Sequence, residues 1–267
     1  MNYKILCSDL DGTLLCTKSD VSTYAIEQIK KIKNNTRVIL VSARMPSGMW
    51  YLQDRLGITD QPIICYNGAL ILSGHKELSS VYIPVDILKN IYKVCNGLKA
   101  DLGLYYNNEW YVPKTSVRVK KETKYTKTNP TFRDTLSTFD DWDQRNVGAH
   151  KIMLMCTKVS ADTLMPILQE KFKDQLNLYR SNDTLIEVAP KTVSKLSAIK
   201  LLMGKNDSLN DIIAFGDNYN DIEMLKNVGY GVAVANARDE VKAISNHVTL
   251  ENTQDGVAHF IENNWVY

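Results

Sequence analysis

The sequence lacks a long apolar run, and none of its stretches approaches the about 18 residues that a membrane-spanning helix needs. It also lacks a dominant charge: 32 basic side chains face 30 acidic ones, for a net charge of +2. No chain-wide field therefore draws it to nucleic acid or to an anionic membrane, and neither is expected as a partner. Cysteine is sparse. Cys7, Cys16, Cys65, Cys95 and Cys156 are odd in number and widely scattered, which fits neither a disulfide framework nor a zinc spacing. Cys7, Cys65 and Cys156 lie in apolar, strand-like runs, as small buried hydrophobes do. The four histidines (His75, His150, His247, His259) share no segment and no metal spacing, so they read as structural or surface groups. No internal repeat and no low-complexity segment interrupts the chain. Met1-Asn2-Tyr3-Lys4-Ile5 leads straight into a strand-like run without a signal-peptide pattern. The expected location is the cytoplasm.

What is present is ordinary for a globular protein: 267 residues, 44% of them apolar and 23% charged, enough for one large or two modest domains. Tyr3 to Ser8 reads as a short buried strand. Ser22 is placed to cap a helix with Ala25, Ile26, Ile29 and Ile32 at helical spacing. Arg37 to Ser42 and Pro62 to Tyr66 are further buried strands, and Pro46 and Gly57 bracket a helix between them. This alternation predicts a Rossmann-like parallel sheet with helices on both faces, an α/β class.

From about residue 70 the rhythm changes. Hairpins are expected at 70–72 with 81–83 and at 104–106 with 110–112, and a helix over 85–99. Lys114 to Arg145 is polar and reads as loop with some helix. Strands at 150–156 and 184–188 flank a helix over 161–172. This mixture predicts an inserted α+β cap domain over 85–188, with 1–84 and 189–267 forming the core. The alternating pattern then resumes: a helix over 193–203, strands at 211–215 and 231–234 with a helix between them through Val228, and a last helix over 255–263.

Chemistry concentrates at the predicted strand ends. Asp9 and Asp11 follow the first strand, where open α/β sheets bind ligands. Gly12 allows the chain to turn and bring backbone N–H groups near an anion. Asp217 and Asp221 follow a later strand of the same kind. Four carboxylates at strand ends repel one another without a cation, and all-oxygen ligands of this sort suit Mg²⁺. Ser42 offers a hydroxyl with Arg44 beside it, and Lys195 opens a helix; a hydroxyl, a helix N-terminus and a lysine together make a phosphate site. A nucleophilic carboxylate in such a setting points to phosphoryl transfer.

Asp9-Leu10-Asp11-Gly12-Thr13-Leu14-Leu15 resembles the first motif of the haloacid dehalogenase superfamily, and Gly216-Asp217-Asn218-Tyr219-Asn220-Asp221 with Met224-Leu225 resembles the fourth, in the form of the Cof-type, sugar-phosphatase-like branch with a type IIB cap. Ser42 and Lys195 match the second and third motifs. Asn67-Gly68-Ala69 and Asp255-Gly256-Val257-Ala258 are similar to further features of that branch. The resemblance spans the chain in order, and its first and fourth motifs are the specific ones. It implies a Mg²⁺-dependent phosphatase acting on small phosphate esters, sugar phosphates foremost, as a monomer or small homo-oligomer. Asp9 would be nucleophile and metal ligand. Asp11 would be general acid and then base, with its backbone carbonyl on the metal. Asp217 would bind Mg²⁺, with Asp221 supporting it through water. Lys195 would hold Asp9 and phosphate charge. Gly12, Ser42, Ala43, Arg44 and Asn220 would surround the phosphoryl group. The branch has Thr-Gly-Arg where this chain has Ser42-Ala43-Arg44, so a close backbone approach to phosphate is restricted while the hydroxyl is kept.

Other readings compete. Asp-X-Asp-Gly alone also opens calcium loops, but Thr13-Leu14-Leu15 supplies no further oxygen ligands. Ser42 by itself reads as a strand-end hydroxyl bonding its own backbone. Tyr105, Tyr106, Trp110 and Tyr111 read as core or strand face, or as part of a pocket lining. Arg118 to Lys127 reads as a solvated face. A phosphomutase would use a similar core, and a receiver-like phosphoacceptor module would share the acidic cluster and lysine; the insertion and the carboxylate two residues past Asp9 argue against the latter.

Overall fold

Buried β-branched strands and amphipathic helices alternate through the first and last parts of the chain, while antiparallel strands fill the middle. The computed structural model describes residues 3–17 and 19–265; Met1 and Asn2, the start of the strand-like run at the N-terminus, lie outside them. Two compact units result: Met1–Leu78 with Ser194–Tyr267, and Ser79–Val193.

The first unit opens with β1 (Ile5–Ser8), a wide turn over Leu10–Leu14, α1 (Thr23–Ile32), β2 (Arg37–Val41), α2 (Ser47–Leu56), β3 (Pro62–Cys65), β4 (Leu70–Ser73) and β5 (Lys76–Ser80). Ser22 caps α1 by accepting the Ala25 N–H, and the helix buries Ala25, Ile29 and Ile32. In the second unit the chain forms α3 (Val85–Cys95), β6 (Ala100–Tyr106), β7 (Glu109–Val112), α4 (Val117–Thr126), β8 (Thr131–Phe132), α5 (Thr135–Gln144), β9 (Lys151–Cys156), α6 (Lys158–Phe172), β10 (Leu176–Asn182) and β11 (Leu185–Pro190). It then returns to the first with α7 (Lys195–Leu202), β12 (Ile212–Gly216), α8 (Ile222–Asn227), β13 (Tyr230–Ala233), α9 (Asp239–Ile244), β14 (His247–Val248) and α10 (Gly256–Asn264).

The first unit's sheet runs β14-β13-β12-β1-β2-β3-β4-β5. It is parallel from β14 to β3, and β4 pairs antiparallel with β3. Every residue of β1 and of β12 is buried, as strands covered on both faces require. From β1 the chain steps outward to β2 and β3 on one side, and from β12 to β13 and β14 on the other. The point where strand order reverses therefore lies between the carboxyl ends of β1 and β12, the place where open α/β sheets bind ligands. The α/β class and parallel core read from the sequence are what the structure has.

The second unit has a six-stranded sheet, β10-β11-β9-β6-β7-β8, antiparallel except where β7 meets β8. Alternate residues Leu102, Leu104, Ile152 and Leu154 pack with Leu88, Ile91, Phe139, Trp142, Leu164 and Leu168 in one apolar core. Tyr105 and Trp110 are buried as well, stacked with ring centroids 5.3 Å apart.

Several boundaries differ from expectation. The second strand of the first hairpin is the polar Lys76–Ser80, an edge strand without apolar alternation, while Ile83 bridges Ala149. The polar 114–145 stretch holds two capped helices: Ser116 caps α4 and Asp134 caps α5. β10 escaped notice because it is a bulged edge strand, half polar in sequence. Among the described residues no helix is long and apolar enough to cross a membrane.

Candidate active site

Asp9 leaves the end of β1 with its N–H donated to the Phe215 carbonyl at 3.0 Å, which ties it to β12. The following turn is closed by the Leu14 and Leu15 N–H groups, which donate to the carbonyls of Asp9 and Leu10. Gly12 makes the turn possible at φ +89°, a conformation that L side chains avoid. A Cβ there would also lie 2.6 Å from Asp217 Oδ2. The absent side chain is what lets the loops after β1 and β12 meet. Thr13 Oγ1 then donates to Asp217 Oδ1 at 3.3 Å.

Lys195 reaches the same place from the start of α7. Gly68, at φ +107°, lets that helix end approach, since a Cβ there would sit 2.4 Å from the Ser194 carbonyl. A reciprocal cap between Ser194 and Ser197 fixes the first turn. The lysine is buried, and its Nζ donates to Asp9 Oδ1 and to Asp221 Oδ1, both at 2.6 Å. Asp221 Oδ2 accepts the N–H groups of Asp217 and Asn218 at 3.0 Å each. Asp221 is thus fully engaged as an anchor, whereas Oδ2 of Asp9 and of Asp217 stand outside these hydrogen bonds.

Asp9, Asp217 and Asp221 each present an oxygen, all within 4.8 Å of one another. Burial pushes the Asp9 carboxyl up to about 7, against the pull of Lys195 and with added repulsion from Asp221 and Asp11. Burial, then repulsion from Asp9 and Asp221, pushes Asp217 up to about 8. For Lys195 burial opposes the charge, but Asp221 and Asp9 outweigh it and hold the ammonium protonated. Three carboxylates face one ammonium, so two negative charges go unbalanced when all are ionised. A donor set made only of carboxylate oxygens, short of two positive charges, fits a hard divalent cation such as Mg²⁺.

The Asp11 carboxylate is outside this group of three, though near enough to repel Asp9. Half-exposed, it accepts two parallel bonds from Arg44, Nε to Oδ2 at 2.7 Å and a terminal nitrogen to Oδ1 at 2.6 Å. Ser42, buried after β2, accepts the Arg44 N–H on its Oγ at 3.2 Å, the local backbone bond that such a hydroxyl makes by default. Ala43 sits in the bend between them. The Asn220 amide donates to Asn67 Oδ1 at 3.0 Å, joining the loop after β12 to the turn after β3. Asp9, Asp217, Asp221 and Lys195 are therefore brought together with Gly12 against them, and Asp11, Arg44 and Ser42 form a neighbouring group.

The sequence reading missed a brace around these loops. Asn236 donates to the Gly12 carbonyl at 2.8 Å and accepts the Asn252 N–H at 2.9 Å, while Asn252 Nδ2 donates to the Leu15 carbonyl at 2.8 Å. The Arg238 N–H donates to the Asp217 carbonyl at 2.9 Å. Asparagine in a loop is the ordinary turn residue, so nothing in the sequence marked these two. All five cysteines are free, burial raising Cys7 and Cys95 to about 12. Burial lowers His150 to about 3.

Residues 6–261 match the family of haloacid dehalogenase-like hydrolases. A Haemophilus influenzae protein whose name assigns it provisionally to the phosphatases is 33% identical over 267 residues, 98% of each chain. The pyridoxal phosphate phosphatase YbhA of Escherichia coli is 27% identical over 291 residues, again 98% of each. A solved haloacid dehalogenase-like hydrolase from Bacteroides thetaiotaomicron superposes with a TM-score of 0.88 at 25% identity, covering 99% of this chain and 100% of that one.

Proposed function

We propose a substrate class, a metal and residue roles for a chain that belongs to the haloacid dehalogenase-like hydrolase family, in its Cof-type branch, and is a phosphatase of that family. It hydrolyses small phosphate monoesters, with sugar phosphates as the leading class, through a phosphoryl group carried on Asp9. The observation that carries this reading is the cluster at the strand-order reversal: Asp9 next to Asp217 and Asp221, with Lys195 buried against Asp9 and Asp221.

In the first step a carboxylate oxygen of Asp9 attacks phosphorus, and the ester P–O bond breaks. The leaving oxygen keeps the electron pair and takes a proton from Asp11. In the second, Asp11 takes a proton from water, whose oxygen attacks phosphorus and displaces the Asp9 carboxylate. Lys195 keeps Asp9 oriented and stabilises its ionised form. Mg²⁺ held by Asp9 and Asp217, with Asp221 behind them, would neutralise charge on the transferring phosphoryl group. Ser42 and Asn220 are assigned to the surroundings of the phosphoryl group, and choice of ester to the inserted unit. A cytoplasmic location belongs to the same reading, on the strength of the free cysteines.

Phosphate release from a panel of sugar phosphates, nucleotides and phosphorylated cofactors, measured with Mg²⁺ and with chelator, tests this. Metal-dependent release from some of them is expected. A folded, metal-loaded protein that releases phosphate from none would overturn the proposal.

A further inference from the structure

Two cations hold three of the four carboxylates of this site. Lys195 serves Asp9 and Asp221, and Arg44 serves Asp11. The two halves of the second pair are anchored very differently. The Arg44 side chain is only 3% exposed. Its other terminal nitrogen donates to the Gly48 carbonyl at 3.3 Å and to the Tyr51 hydroxyl at 3.1 Å. That hydroxyl donates onward to the Ser19 carbonyl at 2.6 Å. The Asp11 side chain is 51% exposed and stands on the turn that Gly12 opens. The arginine is the fixed half, and the aspartate is the half it orients. A planar guanidinium bonded at two points sets both the distance and the plane of a carboxylate, which a lysine ammonium does not.

We propose that Arg44 is a positioning residue for Asp11, its two-point fork setting the orientation from which Asp11 serves the leaving oxygen. The inference rests on the acid/base role given to Asp11 above, and it takes Arg44 away from the direct phosphate contact expected from the sequence. In the transfer, the ester P–O bond breaks, the proton on the Asp11 carboxyl passes to the leaving oxygen, and the carboxylate so formed is the ionised state that the two-point fork holds. Arg44 neither gives nor takes a proton. Its contribution is therefore largest where the leaving oxygen most needs that proton.

The test is a double-substitution cycle in Arg44→Lys and Asp11→Asn, read as kcat/KM for an alkyl phosphate and for p-nitrophenyl phosphate, whose leaving phenolate needs little protonation. Arg44→Lys should lower kcat/KM on the alkyl ester by about ten- to hundredfold, lower it distinctly less on the nitrophenyl ester, and add nothing in the Asp11→Asn background. Equal loss on both esters, or an undiminished loss in the Asp11→Asn background, would overturn the proposal. Asp11→Asn alone leaving the alkyl ester untouched would instead sink the acid/base role beneath it. If Arg44→Lys fails to fold, Tyr51→Phe loosens the same guanidinium and should give the same selective pattern at smaller amplitude; no selectivity there would also count against it.

Discussion

Replacing Lys195 by methionine would keep most of the side chain's length and remove its charge from a fully buried position. In the wild type that charge sits 2.6 Å from Asp9 and 2.6 Å from Asp221. Removing one partner of a buried ion group leaves the others desolvated and uncompensated, a loss of roughly 3–5 kcal/mol. With about 2–4 °C per kcal/mol for a unit of this size, the metal-free variant should melt on the order of 10 °C lower. The loss should depend on pH in a definite direction. Asp9 and Asp217 are raised to about 7 and about 8, above their unfolded value near 4. The native state then holds more protons than the unfolded state between about pH 4 and pH 8, and stability falls as pH rises through that window, by about 1.4 kcal/mol per pH unit for each proton of difference. Without Lys195 the carboxyls titrate higher still, so the deficit should be small at pH 5 and largest near pH 8. Thermal and urea unfolding of both proteins in chelator, at several pH values, would measure it. Adding Asp9→Asn and Asp221→Asn should recover part of the loss, since no uncompensated pair remains. A methionine variant as stable as wild type at pH 8 in chelator would refute the role assigned to the lysine.

Asp9→Asn should abolish turnover, by on the order of 10⁴-fold or more, with circular dichroism unchanged; substantial phosphate release would remove the covalent route. Mg²⁺ should raise the melting temperature more at pH 8 than at pH 6, because protons compete for Asp9 and Asp217; an equal shift at both would place the ion elsewhere. Gly12→Ala should cost about 1–2 kcal/mol from its left-handed backbone alone and weaken Mg²⁺ binding by pushing on Asp217, as calorimetric titration would show; an unchanged affinity would mean that the two loops do not share a site.

The buried strands and their ends could be read from the sequence because each signal is local. Tyr3 to Ser8 and Asp211 to Phe215 are apolar runs too short to be helices, and a carboxylate motif follows each at once. Ser22, Pro46 and Gly57 marked helix ends for similar reasons of capping and backbone freedom. What could not be read was which charge meets which. Arg44 and Asp11 are 33 positions apart, and neither residue's neighbours reveal that β1 and β2 lie side by side with their ends level. The same holds for Asn236, whose amide spans 224 positions to Gly12. Edge strands such as Lys76–Ser80 were misplaced because one face meets solvent and the apolar alternation is lost. The helix over 117–126 buries only Val119 and Thr126, so its cap Ser116 is its main signal; the one over 135–144 buries Thr135, Thr138, Phe139 and Trp142 at helical spacing, but within a polar stretch where two of the four are threonines.

The covalent role of Asp9 is the central claim, and trapping the intermediate tests it most directly. Enzyme mixed with a good substrate and Mg²⁺ would be quenched within the first turnovers, reduced with borohydride, and digested for peptide mass analysis. The account predicts reduction of a phosphorylated Asp9 to homoserine, absent without substrate and absent in chelator. Steady phosphate release with Asp9 unmodified at every quench time, or with the reduced residue at Asp11 instead, would contradict it.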